Sequence, residues 1–229
     1  MKKISQEELD ERVRQHSLWL QDKDGERLDL SYHDLERLDL SDSPLKRAIF
    51  IGAKLRSANF QLTNLFEAEL EDADLREADF RNSNLREACL SFAMLNRADF
   101  RCSTLGGADF VGAAIEGAHL EGAIINDAFG LPTAPKIENI DRKLLEVLNA
   151  DKHFLDVKSC YTHETTLGRL GWYIKIAEKE GQSLERNYGR SVAGALIFHA
   201  SYPNKRIPDW YASDEQALED IRRNAYEED

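Results

Sequence analysis

The chain has 229 residues, with 42 acidic against 30 basic side chains and a formal net charge of -12. That length holds one large domain or two modest ones. The charge disfavours unspecific binding to DNA or an anionic membrane surface, and leaves a protein with a basic surface or a neutral solute as partner.

Residues 1–25 open the chain. MKKISQEELDERVRQHSLWL turns acidic within a few residues and has neither a continuous apolar run nor a small-residue cleavage pattern, so no signal peptide is expected. Ser5 followed by Glu8 reads as a capping box. Leu9, Val13, His16 and Leu20 then mark one helical stripe. A capping helix is predicted here, with Asp22-Lys-Asp-Gly25 as the turn that follows it.

From Leu30 to Ile125 every fifth residue is Leu, Phe or Ile, 20 consecutive times. From Ala48 onward the residue two before each is Ala, Ser or Thr. A helix would smear a period of five around its circumference. A strand would place Leu30 and Leu35 on opposite faces. The pattern fits a chain that turns a corner every five residues, with the large and the small residue both pointing inward. Four units close a square coil, so residues 26–127 make about five coils in a rod of roughly 24 Å at the usual strand spacing. Residues 20 apart then lie above one another, and Leu40, Phe60, Phe80, Phe100 and Leu120 form one inner column. Leu28, His33 and Leu38 occupy seats meant for small residues, so a wider or distorted first coil is expected. Pro44 removes a backbone donor just after it.

The stretches ADLRE (73–77), ADFRN (78–82), SNLRE (83–87) and ADFRC (98–102) resemble the pentapeptide repeat proteins, whose consensus is A(D/N)LXX. The resemblance covers about 100 residues. It implies a mainly β fold, a right-handed quadrilateral parallel β-helix. The family includes unrelated roles, so it says little of function.

The rod carries 19 acidic against 11 basic side chains. Asp or Asn before the central Leu or Phe has a structural role in the consensus, turning the backbone and wetting the face. The competing reading makes the outward acids Asp39, Glu69, Asp79 and Asp99 a partner-binding ladder, although Arg56, Arg76, Arg81, Arg86, Arg97 and Arg101 interrupt it. Ile49, Ile51, Cys89, Phe92 and Val111 fall outward on one side, a docking or dimer face whose cover is the chain's own C-terminal domain or a second copy. Phe66 is outward elsewhere. Gly106, Gly107, Gly112, Gly117 and Gly122 permit close approach of another backbone, as for a docking domain.

Residues 128–139 read as a linker and 140–229 as a helical domain of about four helices. The expected helices carry Ile140, Leu144, Val147 and Leu148; Thr166 to Lys179, ending at Gly181; Ser183 to Ala200; and a last one capped by Ser213 and Gln216. Phe154 to Val157 is a candidate extended segment. Trp172, Tyr173, Trp210 and Tyr211 are expected in the core. A rod opening near Arg27-Leu-Asp-Leu-Ser31, TTLGRLGW (165–172), Leu184-Glu185 and Asp-Trp-Tyr-Ala-Ser (209–213) resemble pentapeptide repeat proteins of phages and prophages. Relatives carry a His-Cys pair inside TTxxRxGW where this chain has Leu167 and Gly168, so no thiol or metal chemistry carries over.

No run of eighteen apolar residues is present, so no membrane span is expected. Cys89, Cys102 and Cys160 form neither a CxxC pair nor a disulfide framework, which points to a reducing, cytoplasmic compartment. No phosphate loop, acid–base pair or metal motif is evident, and neither a cofactor nor an enzymatic activity is expected. The expected function is a protein-interaction scaffold built on an acidic rigid rod. One alternative is a DNA-mimicking modulator of DNA gyrase, which some family members bind, acting by electrostatic competition. The other is an enzyme, which needs His153, Cys160, His163 and Glu164 to converge.

Overall fold

A computed structural model describes residues 1–150, 169–208 and 214–226. The chain divides into two compact units, Met1–Leu131 and Pro132–Asp229.

The first unit is the square coil. Each five-residue repeat ends in a turn closed by a bond such as Ala53 N–H to the Phe50 carbonyl (3.0 Å). The second turn residue has positive φ, +61° at Gly52 and +55° at Ser57, which makes these turns type II. What remains between turns is so short that a side contributes a single bridged residue, not a long strand. Lys54, for example, bridges Asp34 on one side and Asp74 on the other, in parallel. Adjacent coils are tied by pairs such as Leu55 N–H to Asp74 O (2.8 Å) and Asp74 N–H to Ala53 O (2.9 Å). The four sides are named here by their inner columns, beginning at Leu30, Leu35, Leu40 and Leu45. The inner residues of the middle coils are fully buried, and the expected aromatic column is present on the third side. Phe60 stacks on Phe80 at 4.9 Å and Phe80 on Phe100 at 5.0 Å, nearly parallel. Phe50 and Phe110 meet the two ends of this stack edge-on.

The first coil has no coil before it, so its outermost backbone groups need other partners. Each side finds a different one. On the first side, the Leu28 N–H donates to Nδ1 of His16 (3.0 Å). On the second, β1 (Lys2–Lys3) pairs in parallel with β2 (His33–Asp34). On the third, Asp39 N–H donates to the Gln6 side-chain oxygen (2.9 Å), and the Gln6 amide donates to Asp39 O (2.7 Å). The fourth side carries Pro44, which has no N–H to satisfy, so a residue costly inside a sheet is free of that cost here.

His16 and Gln6 both stand on α1 (Gln6–Trp19), whose N-cap Ser5 accepts the Glu8 N–H as expected. The predicted distortion of the first coil is absent from its ladder. Leu30, Leu35 and Leu40 donate to the next coil at 2.8 Å, as in the middle of the rod. The large residues fit because this end is open and covered by a helix rather than by another coil. The departure falls at Pro44 instead, where Leu45 N–H turns to Ser43 O (3.0 Å). At the other end Phe129 still bridges Asp109, so the ladder runs two residues beyond its expected end.

The second unit contains α2 (Ile140–Ala150), α3 (Arg169–Ile176), α4 (Glu178–Tyr188), α5 (Arg190–Ser201) and α6 (Asp214–Tyr226) among its described residues. Two expected boundaries are corrected. Gly181 does not end a helix but lies buried inside α4, where a β-carbon would stand 2.3 Å from the Ile174 carbonyl oxygen. The helix expected over Ser183 to Ala200 is broken by Gly189 at φ +85°. Trp172 and Tyr173 are buried, as expected. Trp210, Tyr211, Ser213, Phe154 to Val157 and Thr166 lie outside the described residues.

Candidate interaction surfaces

The four acids singled out as a ladder are all engaged. Asp39 accepts the Ser41 N–H (3.0 Å) and the Asn59 side-chain amide (2.9 Å). The Ser41 bonds and the Asn59 amide hold its carboxyl below the usual range against a small opposing effect of burial. Arg27 reaches Glu69 at 2.7 Å. Arg81 forks onto Asp79, with Nε at 2.9 Å and Nη2 at 2.7 Å, and the Gln61 amide adds a third donor at 2.7 Å. Burial pushes the Asp79 carboxyl up, and the Arg81 bonds outweigh it, so its pKa is lowered. Arg101 forks onto Asp99 in the same way. Both aspartates also accept the backbone N–H two residues on, each at 3.1 Å, which turns the corner locally. Arg76 repeats the arrangement on Asp74. The consensus acid therefore holds the turn, and an arginine two residues later neutralises it where one is present.

The outward apolar residues form two groups. Ile49 and Ile51 are half-buried, and Glu69, Glu71 and Asp72 of the next coil separate them from the rest. At the corner between the first and second sides, Phe92 is 55% exposed, Val111 44%, Phe129 51% and Met94 40%. Cys89 is half-buried beside them. Part of the Phe92 ring has a local explanation. It lies across the next coil, where a β-carbon on Gly112 would stand 2.6 Å from it, as Tyr32 lies across Gly52.

The glycine-rich coils have a different cause from the one expected. Gly107, Gly112, Gly117 and Gly122 all occupy the left-handed seat of the type II turn, at φ +68° to +71°. An L-residue there costs roughly 1–2 kcal/mol, which earlier coils bear at residues such as Arg37, Glu77 and Arg97. Gly106 is the exception: its φ is not positive, and it leaves a recess of about 490 Å³ with Gly107.

In the helical unit the structure shows a buried polar cluster that the sequence did not reveal. Asp141, fully buried, accepts from Arg169 Nη2 (2.8 Å), the Tyr173 hydroxyl (2.6 Å) and the Asn224 amide (2.9 Å). Arg169 also reaches Asp220 at 2.5 Å. Burial raises the Tyr173 pKa, so its hydroxyl stays protonated and donates. Arg169 is the arginine of the TTLGRLGW motif, the one signal that sequence offered. His153, Cys160, His163 and Glu164 lie outside the described residues. Among the described residues no three metal-ligating side chains group together, and no helix is long and apolar enough to cross a membrane.

The pentapeptide repeats family pattern matches residues 27–61 and 63–101 in 8 copies. No curated protein matches the chain. A pentapeptide repeat protein of the cyanobacterium Cyanothece 51142 is 26% identical over 44% of this chain and 76% of its own, with a TM-score of 0.33. HetL of Nostoc sp. strain PCC 7120, involved in heterocyst differentiation regulation, is 33% identical over 41% of this chain and 40% of its own, with a TM-score of 0.23. A thylakoid-lumen pentapeptide repeat protein of Arabidopsis thaliana is 28% identical over 52% of this chain and 76% of its own, with a TM-score of 0.24. With the five-residue ladder already in place, the repeat region of this chain belongs to the pentapeptide repeat family and winds as its right-handed quadrilateral β-helix.

Proposed function

We propose that the chain is a non-enzymatic interaction scaffold whose rod takes a protein partner on the corner formed by Phe92, Met94, Val111 and Phe129. The observation that carries this reading is the exposure of four large apolar side chains at one corner of adjoining coils. A rigid coil holds such a patch in fixed register at little further entropic cost on binding. Ile49 and Ile51 are a weaker extension of it, because acids intervene. A photo-crosslinking residue placed at Val111 yields a discrete adduct that Phe92→Ser removes, whereas one at Leu62, exposed at another corner, does not. Identical patterns at the two positions would overturn the proposal.

The gyrase reading draws on the net charge of the rod. Asp39, Glu69, Asp79 and Asp99 are its contact residues, but Arg27, Arg81 and Arg101 already neutralise three of them. A supercoiling assay separates the two readings. The scaffold reading expects no inhibition at tens of micromolar (a concentration of order set by typical weak charge-driven contacts). Inhibition weakened by Asp79→Lys favours the gyrase reading.

A further inference from the structure

The corner between the fourth and first sides carries two columns of turn residues. One runs Phe66, Arg86, Gly106, Asn126, and the other Glu67, Glu87, Gly107, Asp127. In one coil both columns lose their side chains together, and the recess of about 490 Å³ opens there. Oxygen acceptors dominate its lining. Glu87 and Asp127 stand two coils apart, about 9.6 Å at the usual spacing. The Glu87 stem leans across the gap, its Cγ 3.3 Å from where a β-carbon on Gly107 would sit. The Asn126 carbonyl lies 3.3 Å from the corresponding point on Gly106. Oδ1 of Asn126 is shut off from solvent with no hydrogen-bond partner among the described residues. Such an orphan acceptor is a debt that an incoming donor relieves. Arg86 is the one cation among the lining residues.

We infer that this recess receives an arginine side chain of the partner protein. Two carboxylates and a buried acceptor call for a cation with several donors, and a guanidinium offers five in a planar fork. The inference rests on the scaffold reading, because the recess and the apolar corner flank the same first side. Glu87 and Phe92 are five residues apart, so their Cα atoms are within about 18 Å. One partner segment with an apolar anchor and an arginine spans both.

The test is an amide NMR titration of the full-length protein with N-acetyl-arginine methylamide. Saturable shifts are expected at Gly106 and Gly107. The double variant Glu87→Gln, Asp127→Asn weakens binding about fivefold, the effect of losing two exposed charge contacts. Gly106→Gln fills the recess, leaves both carboxylates in place and abolishes the shifts. N-acetyl-lysine methylamide binds more weakly. Shifts spread over the whole acidic surface without saturation, or an affinity unchanged in both variants, overturn the inference. Phe92→Ser leaves the titration unchanged while it removes the Val111 adduct, so failure of the socket and failure of the apolar corner are read separately.

Discussion

His16 is the residue whose replacement tests the account of the rod's open end most directly. Its imidazole is fully buried. Because the Leu28 N–H can only donate, Nδ1 accepts and Nε2 carries the proton to the Lys46 carbonyl at 3.1 Å. The ring is thus neutral, and it stacks on Trp19 at 5.4 Å. His16→Leu leaves one buried donor and one buried acceptor without partners. At about 1–3 kcal/mol each, the loss is about 2–6 kcal/mol.

Acid does the same work without mutation. Burial lowers the His16 pKa, the Lys46 bond opposes that, and the Arg27 charge lowers it further. The folded value lies below the unfolded one, so in the window between them the unfolded chain holds more protons. Stability from this group is full above the unfolded value of 6.5 and falls as the pH drops toward the folded value, by at most about 1.4 kcal/mol per pH unit. His119, whose pKa the Glu121 contact raises, acts in the opposite sense at higher pH. The comparison is therefore wild type against His16→Leu across pH 5 to 7, a range set by the ordinary histidine titration. Hydrogen exchange at the Leu28 amide reports local opening, and urea denaturation reports the rod. Equal Leu28 protection in both proteins, or the same slope in both below the unfolded value, would refute the reasoning.

Three further outcomes follow from packing. Phe80→Ala empties the middle of the aromatic column and lowers stability by about 3–5 kcal/mol in urea, with Phe80→Leu milder. Gly112→Ala places a β-carbon against the Phe92 ring at a left-handed turn and costs about 1–3 kcal/mol. Phe92→Ala recovers the steric part, so a double-mutant cycle shows coupling, and simple additivity would contradict the stacking. In the helical unit, Arg169→Met strands the buried Asp141 and costs about 3–5 kcal/mol, seen by thermal melting. Pairing it with Asp141→Leu restores much of the loss, because no uncompensated charge remains.

The five-residue period alone settled the square coil, its inner columns and the stacked phenylalanines. In a repeat rod each residue's neighbours are fixed by a constant offset of 20, so register is written into the spacing. The sequence also placed the capping helix, since Ser5 and Glu8 act within one turn. What the period cannot carry is the reach and direction of side chains. Only the tertiary structure decided that Arg81 and Arg101 fold back onto Asp79 and Asp99, and that turn glycines answer a positive φ. It also decided that Gly106 opens a recess where its neighbours do not. The same holds where the period ends. Which groups satisfy the first coil depends on what lies over it, so His16, Gln6 and Pro44 took roles that their spacing could not announce. Arg169 and Asp141, 28 residues apart, meet because helices pack, and packing brings together side chains that no local rule relates.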